Sequence, residues 1–177
     1  MRQARLGIDF GRVINEGSAE LGGDDTTFLS GGFEEAMRTP AKPDAFEVIG
    51  RLTELFEGRV WIVSKCGERI QQRTREWLDY NDFWTLTGIS PENKRFCRQR
   101  PEKALHCKRL QITHFIDDRR DVLGHMRETV EHLYLFGPQK TPAPEWATPT
   151  LTWLDVENAV TSGIAAEPQR PARRRSR

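Results

Sequence analysis

Leu6-Gly7-Ile8-Asp9-Phe10 is a short apolar run near the start of the chain, and an acidic residue stands close to its end. A second such run, His114-Phe115-Ile116, leads directly into Asp117 and Asp118. Both runs are too short for buried helices and are predicted to be strands. Ligands bind at the carboxyl ends of the strands in open parallel α/β sheets. The two runs therefore predict a sheet that gathers carboxylates at one edge.

Predicted strands and helices alternate around these two runs. Further strands are predicted at 60–64, 83–87 and 131–136, and helices at 43–56, 68–80, 102–110, 120–127 and 153–160. This alternation predicts an α/β fold, a three-layer Rossmann-like parallel sheet of about five strands with helices on both faces. Residues 12–42 are rich in Gly, Asp, Thr and Ser and predict a loop or hairpin that serves as a flap. Residues 90–100 are predicted to be a basic loop, and residues 137–150 a surface segment.

Length and charge predict one domain followed by a tail. The chain has 177 residues and a net charge of +1, and we predict a domain at 1–160 and a disordered, arginine-rich tail at 161–177. Residues 167–177 hold five Arg and one Glu, which leaves 22 basic and 25 acidic residues in the rest. The domain is therefore not a general binder of polyanions.

Cysteine content and apolar run lengths predict the compartment. Cys66, Cys97 and Cys107 are odd in number and show no CxxC spacing, so neither a disulfide framework nor a zinc site is indicated. No apolar run approaches the length of a membrane span, and the first one is too short for a signal sequence. We expect a soluble, cytoplasmic protein.

Four polar groups stand at predicted strand ends or lead into them, and together they suit phosphoryl transfer. Asp9 and Asp117 with Asp118 end two strands, Ser64 ends another, and Lys103 begins the helix before the last pair. Clustered carboxylates need a cation between them, and hard oxygen ligands suit Mg²⁺. The Ser64 hydroxyl, the N–H groups after it and the lysine could hold phosphate oxygens.

This order of motifs resembles the haloacid dehalogenase-like (HAD) superfamily of hydrolases, in a capless or small-cap form. The resemblance covers roughly residues 5 to 136. The residues that carry it are Ile8-Asp9-Phe10-Gly11-Arg12-Val13-Ile14, Val63-Ser64, Lys103, and Phe115-Ile116-Asp117-Asp118-Arg119-Arg120-Asp121.

The resemblance implies a role for each matched residue. Asp9 is expected to be the nucleophile, with Ser64 and Lys103 as catalytic residues that bind the transferring phosphoryl group; Lys108 is the rival of Lys103. The expected substrate-binding residues are Ser64, Lys65, Lys103 and Arg12. The expected Mg²⁺ ligands are Asp9, the Gly11 carbonyl, Asp117 and Asp118, with Asp118 or Asp121 alternatively only supporting the ligands.

One position departs from the family pattern. Phosphatases of this superfamily usually carry a second Asp two residues after the nucleophile, where it protonates the leaving alcohol, and here that position is Gly11. Such acid catalysis is worth roughly 10²–10⁴-fold. Gly11 therefore implies another acid from the flap (Glu16, Asp24 or Asp25), a leaving group that needs no acid, or lost turnover.

Three functions remain open at the level of sequence. The first is a metal-dependent phosphohydrolase that acts on a small phosphomonoester through an aspartyl-phosphate on Asp9. The second is a catalytically impaired relative that binds a phosphorylated ligand or a partner protein. The third is a nucleic-acid end-processing or binding protein, which is suggested by the basic residues of 94–100 and of the tail.

Overall fold

A sheet of six parallel strands forms the centre of the molecule. The computed structural model describes residues 3–16 and 26–166. The strands are β1 (Leu6–Ile8), β2 (Val60–Lys65), β3 (Lys94–Cys97), β4 (His114–Asp117), β5 (His132–Phe136) and β6 (Thr148–Thr150). Their order across the sheet is β3-β2-β1-β4-β5-β6. The predicted α/β fold is confirmed, with one strand more than the five expected.

Helices cover both faces of the sheet. They are α1 (Thr26–Ser30), α2 (Phe33–Met37), α3 (Ala45–Leu55), α4 (Glu68–Tyr80), α5 (Phe83–Thr87), α6 (Glu102–Leu110), α7 (Arg120–Gly124) and α8 (Trp153–Ala166). Side chains alternate across each strand, so Ile62 of β2 joins one apolar cluster while Trp61 and Val63 join the other. The first cluster contains residues of α3, α4, α5 and α8, and the second contains residues of α6 and α7.

The segment at 83–87 was predicted to be a strand, and that prediction is wrong. It forms α5, in which the Leu86 N–H donates to the Asp82 carbonyl and the Gly88 N–H to that of Trp84. The Phe83 ring is buried against Phe46, with ring centroids 5.3 Å apart. Five residues show no periodicity that separates a strand from a helical turn, so packing decides the structure here.

Both edge strands lie in segments that were predicted to be irregular. The basic loop at 90–100 contains β3, and the surface segment at 137–150 contains β6. Edge strands tolerate charged side chains and proline because one side of their backbone needs no partner. Lys94, Arg95 and Pro149 are examples of such residues. Because of them, neither β3 nor β6 shows an apolar run in the sequence.

Two predicted helix ends differ from the structure by three residues or more. α7 ends at Gly124, earlier than the expected 127, whereas α8 continues to Ala166 instead of stopping at 160. Residues 161–166 are therefore helical and do not belong to the predicted tail. Residues 167–177 lie outside the described residues. Across the described ranges, none of the helices combines the length and the apolar character needed to cross a membrane.

The segment at 12–42 is not wholly a loop. It contains α1 and α2, and an isolated antiparallel bridge joins Asn15 to Ala41. Two buried tryptophans hold its ends, since Trp153 Nε1 donates to the Val13 carbonyl and Trp77 Nε1 to that of Thr39, both at 2.8 Å. Residues 17–25 lie outside the described residues.

Candidate active site

Three carboxylates meet where β1 and β4 end. Asp9 directly follows β1, and its N–H donates to the Ile116 carbonyl of β4 at 2.9 Å. Asp117 is the last residue of β4, and Asp118 follows it. One oxygen of each carboxylate lies within 4.8 Å of one oxygen of the others, and Asp9 and Asp117 are buried. The cluster predicted from the two apolar runs is present.

Lys103 bridges two of these carboxylates. Its Nζ donates to Asp9 Oδ1 at 2.6 Å and to Asp117 Oδ2 at 2.7 Å, and the residue is only 2% exposed. It reaches the cluster from the first turn of α6, whereas the rival Lys108 is exposed on the same helix. Lys103, which was preferred to Lys108, thus lies at the site. It contacts two carboxylates directly, whereas it was expected to bind the transferring phosphoryl group.

Burial and charge act in opposite directions on these groups. Burial alone would lower the pKa of Lys103, but the carboxylates of Asp117 and Asp9 raise it above its ordinary value, so the ammonium stays charged. Burial raises the pKa of Asp117 despite the lysine, and burial and Asp9 raise that of Asp118 despite Arg12. Another cation beside these acids would favour their ionised forms.

The donor set fits a hard divalent cation. The Arg119 N–H donates to Asp117 Oδ1 at 2.9 Å, and Arg12 pairs with Asp118 Oδ2 at 3.0 Å, so both carboxylates are fixed in orientation. Three carboxylates and the two cations Lys103 and Arg12 carry a formal charge of −1 together. Clustered carboxylate oxygens with a net negative charge suit Mg²⁺.

A cavity of about 330 Å³ opens above the cluster. Asp9, Gly11, Ser64, Lys65 and Arg12 all line it, so the structure brings together the substrate-binding residues predicted from the sequence. Ser64 is buried in β2, the second strand from the edge. Not every N–H after Ser64 is available to a ligand, because that of Cys66 donates to the Cys97 carbonyl at 2.9 Å. The flap residues Phe28 and Leu29 complete one wall.

Two arginines that the sequence did not single out also line this cavity. Arg100 and Arg119 share the Asp121 carboxylate, with N–O distances of 2.9 and 3.4 Å. Asp121 therefore pairs with arginines at the cavity mouth, and one of them, Arg119, also donates its N–H to Asp117. The spacing of Arg119 from Asp117 could have indicated it, whereas Arg100 stood in the segment predicted to be a loop.

The structure limits the candidates for the missing acid. Glu16 pairs with Lys42 at 2.9 Å and lines a neighbouring cavity of about 820 Å³ instead of the one above Asp9. Asp24 and Asp25 lie outside the described residues. Of the described residues that line the cavity above Asp9, only Asp9 and Asp118 carry carboxylates.

The cysteines are free thiols without nucleophilic character. Burial raises the pKa of Cys66 and Cys97 to about 11 and that of Cys107 to about 12. A thiol with so high a pKa is protonated at neutral pH and reacts slowly. The chemistry of the cavity therefore rests on its carboxylates and cations.

Neither models of known protein families nor curated protein sequences match the chain. The resemblance to the HAD superfamily accordingly remains a prediction from four motifs, and the functional proposal depends on the geometry of the site.

Proposed function

We propose that the protein is a metal-dependent phosphohydrolase of phosphomonoesters with Asp9 as its nucleophile. One observation carries the proposal: Asp9, Asp117 and Asp118 converge beside the buried ammonium of Lys103, and Asp9, Asp118 and Lys103 line a cavity. A cluster of three acids, two of them buried, is costly unless it binds a cation or takes part in a reaction. The cavity volume of about 330 Å³ suits phosphomonoesters from a small alkyl phosphate up to a nucleotide.

The proposed reaction proceeds in two displacements at phosphorus. A carboxylate oxygen of Asp9 bonds to phosphorus while the bond to the ester oxygen breaks, and the leaving oxygen keeps the electron pair and takes up a proton. Water then attacks the phosphorus of the aspartyl-phosphate, which releases inorganic phosphate and restores the Asp9 carboxylate. Mg²⁺, when bound by the three aspartates, would neutralise charge on the phosphoryl oxygens.

The chain's own residues position the reacting groups. Lys103 fixes the Asp9 carboxylate by its 2.6 Å bond, and the Ser64 hydroxyl faces the cavity where it can donate to a phosphoryl oxygen. Lys65, Arg100 and Arg119 stand at the mouth with Asp121 as the partner of the two arginines, so cations exceed acids there. This distribution attracts a phosphate dianion toward the aspartates once a divalent ion compensates them.

A second candidate is a protein that binds a phosphorylated ligand without turning it over. Gly11 favours this candidate because the described part of the cavity holds no acid besides Asp9 and Asp118, and Asp118 is paired with Arg12. Without a proton donor, only esters with weakly basic leaving groups would react.

Hydrolysis of p-nitrophenyl phosphate in the presence and absence of Mg²⁺ tests the proposal. We expect turnover with Mg²⁺, loss of turnover on addition of a chelator, and loss in Asp9→Asn. Glu131→Gln is the matched control, because this exposed carboxylate lies outside the cavity and should leave the rate unchanged.

Calorimetric measurement of inorganic phosphate binding distinguishes the hydrolase from the protein that only binds a phosphorylated ligand. Mg²⁺-dependent phosphate binding without any turnover would contradict the hydrolase and support the ligand-binding protein. Turnover that persists in Asp9→Asn would contradict the role of Asp9 as nucleophile.

A further inference from the structure

The segment 94–100 is strongly basic, and the structure places it at an open edge of the sheet. It contains Lys94, Arg95, Arg98 and Arg100 and no acidic residue. β3 is the first strand in the sheet order and pairs with β2 on one side only, so within the described ranges no strand covers its other side. A basic edge strand repels other edges and leaves its cations accessible to a polyanion.

Aromatic rings lie among these cations. The Arg75 guanidinium stands over the Phe96 ring at 4.8 Å, and Lys94 Nζ stands over the Trp84 ring at 5.2 Å. Both rings are half-buried and therefore partly open to solvent. Partly exposed rings beside cations are the surfaces on which single-stranded bases stack.

The charge of Arg98 is only weakly compensated. The nearest carboxylate that pairs with it is that of Glu68, at 3.8 Å between two highly exposed side chains, and such pairs contribute little. Glu102 accepts the N–H groups of Arg98 and Gln99 at 2.9 and 3.0 Å, so its carboxylate holds the turn in shape.

Within the described ranges, Arg95 makes its side-chain hydrogen bonds to carbonyls and not to a carboxylate. Its Nη1 donates to the carbonyls of Glu92 and Lys94. Together with Arg109 it lowers the pKa of His106 below the ordinary value, after the larger effect of burial. Arg95 therefore adds positive charge on the α6 side of the edge.

The basic segment leads into the cavity that contains Asp9. Because β3 is parallel to β2, its carboxyl end lies at the same edge as Ser64 and Lys65, and Arg100 lines the cavity three residues further along. At 3.3 Å per residue the four residues of β3 span about 10 Å. This stretch gives a single strand a basic track that leads on to Arg100 at the cavity.

We propose that the edge formed by β3 and the following turn to Arg100, here called the β3 edge, binds a single-stranded nucleic acid whose terminal phosphate enters the cavity above Asp9. This inference rests on the proposed phosphohydrolase function for the entry of the phosphate. It names the substrate class of that site: the phosphorylated end of a polynucleotide, with cations along β3 on the backbone phosphates and Phe96 and Trp84 beside the bases.

Salt-dependent binding of a fluorescent single-stranded oligothymidylate tests the β3 edge. The variant Arg95→Gln with Arg98→Gln removes two cations that do not line the cavity. The control Arg51→Gln with Arg127→Gln removes the same charge from α3 and from the turn before β5. We expect the β3 variant to bind roughly tenfold more weakly and its slope of log K against log salt to fall by about 1.4, at 0.7 per lost phosphate contact. The control should bind like the unmutated protein.

Equal weakening in the two double variants, or none in either, would overturn the β3 edge. A second comparison tests the terminal phosphate in the presence of Mg²⁺. An oligothymidylate with a phosphate at either its 5′ or its 3′ end should bind more tightly than the same oligothymidylate with hydroxyl groups at both ends. If neither the 5′ phosphate nor the 3′ phosphate tightens binding, the entry of the terminal phosphate into the cavity is overturned.

Hydrolysis of p-nitrophenyl phosphate separates the failure of this inference from that of the proposed function. The β3 double variant should keep the unmutated rate on this small substrate. If the unmutated protein has no such activity and yet the oligothymidylate results hold, the hydrolase is wrong and the β3 edge stands. If activity is present and the oligothymidylate results fail, only the β3 edge is wrong.

Discussion

At the scale of single residues, Lys103 offsets the cost of burying the carboxylates of Asp9 and Asp117. Its ammonium lies 2.6 and 2.7 Å from Asp9 and Asp117 with almost no exposure to solvent. Replacement by Met keeps the volume of the side chain and leaves two buried acids without their partner. Removing one member of a buried ion pair costs about 3–5 kcal/mol.

We therefore expect Lys103→Met to lower the free energy of unfolding by about that amount at pH 7, measured by urea denaturation. The loss should deepen as the pH rises through about 8, because burial raises the pKa of Asp117 to about 8 and its ionised form then repels Asp9. Adding Asp117→Asn to Lys103→Met should recover part of the loss. A cost below about 1 kcal/mol at pH 7 would contradict the buried pairing.

In the proposed hydrolase, Gly11 is the residue expected to set the substrate range. A Cβ built at this position meets no atom within 4 Å apart from its chain neighbours, so there is open space for the start of a side chain. Gly11→Asp would supply a carboxyl where HAD phosphatases carry their acid. We expect it to raise turnover of an alkyl phosphate more than that of an aryl phosphate, because an alkoxide is the more basic leaving group.

The ratio of the two rates, measured for both proteins, checks this prediction, with Gly11→Asn as the control that cannot donate a carboxyl proton. If the unmutated enzyme cleaves alkyl and aryl esters equally well, an acid is already present. Glu16→Gln, Asp24→Asn and Asp25→Asn would then show whether the flap supplies it.

At the scale of elements, β4 carries the site at one end and a buried imidazole at the other. His114 is fully buried at the start of β4 and stacks on His132, with ring centroids 4.3 Å apart. Burial lowers the pKa of His114 to about 3, and His132 adds to the effect. In the unfolded chain the pKa of a histidine is about 6.5. Between about pH 3 and pH 6.5 this histidine is therefore protonated in the unfolded chain and neutral in the folded protein.

Stability from this group is therefore complete above pH 6.5 and is lost as the pH falls toward 3. We expect acidification from pH 7 to pH 4 to cost on the order of 2–4 kcal/mol through His114. The variant His114→Gln, which does not titrate, should show a correspondingly smaller loss in urea denaturation over the same range. Equal losses in the two proteins would contradict a neutral buried imidazole.

The elements also show what the sequence could and could not predict. β1, β2, β4 and β5 are central strands, and their unbroken apolar runs follow from burial on both faces. α4 was predicted at its observed bounds because Ile70, Thr74 and Trp77 recur at helical spacing. β3, β6 and α5 depend on position in the sheet or on packing, which a local pattern does not encode.

The same distinction holds for the site. Asp9 and Asp117 could be placed together because parallel strands present their carboxyl ends at one edge. Arg100 could not be placed, since its approach to Asp121 depends on β3 being part of the sheet. The long-range contact of Arg12 with Asp118 was equally hidden, because it requires the left-handed backbone of Arg12 after β1.

At the scale of the whole molecule, the sheet brings the two halves of the site together. β1 and β4 are adjacent in space but separated in sequence by β2, β3 and the helices between them. Unfolding therefore separates Asp9 from Asp117 and destroys any metal site that needs both. An ion that binds only the folded chain stabilises it by mass action, by about 2.7 kcal/mol at a hundred times its Kd.

Thermal unfolding with and without Mg²⁺ tests the central claim most directly. For a chain of this size 1 kcal/mol raises Tm by about 2–4 °C, so saturating Mg²⁺ should raise Tm by roughly 5–10 °C. The shift should be largely lost in Asp9→Asn and in Asp117→Asn and kept in Glu131→Gln. An unmutated protein whose Tm does not respond to Mg²⁺, or aspartate variants that respond as fully as Glu131→Gln, would contradict a metal site built on Asp9 and Asp117.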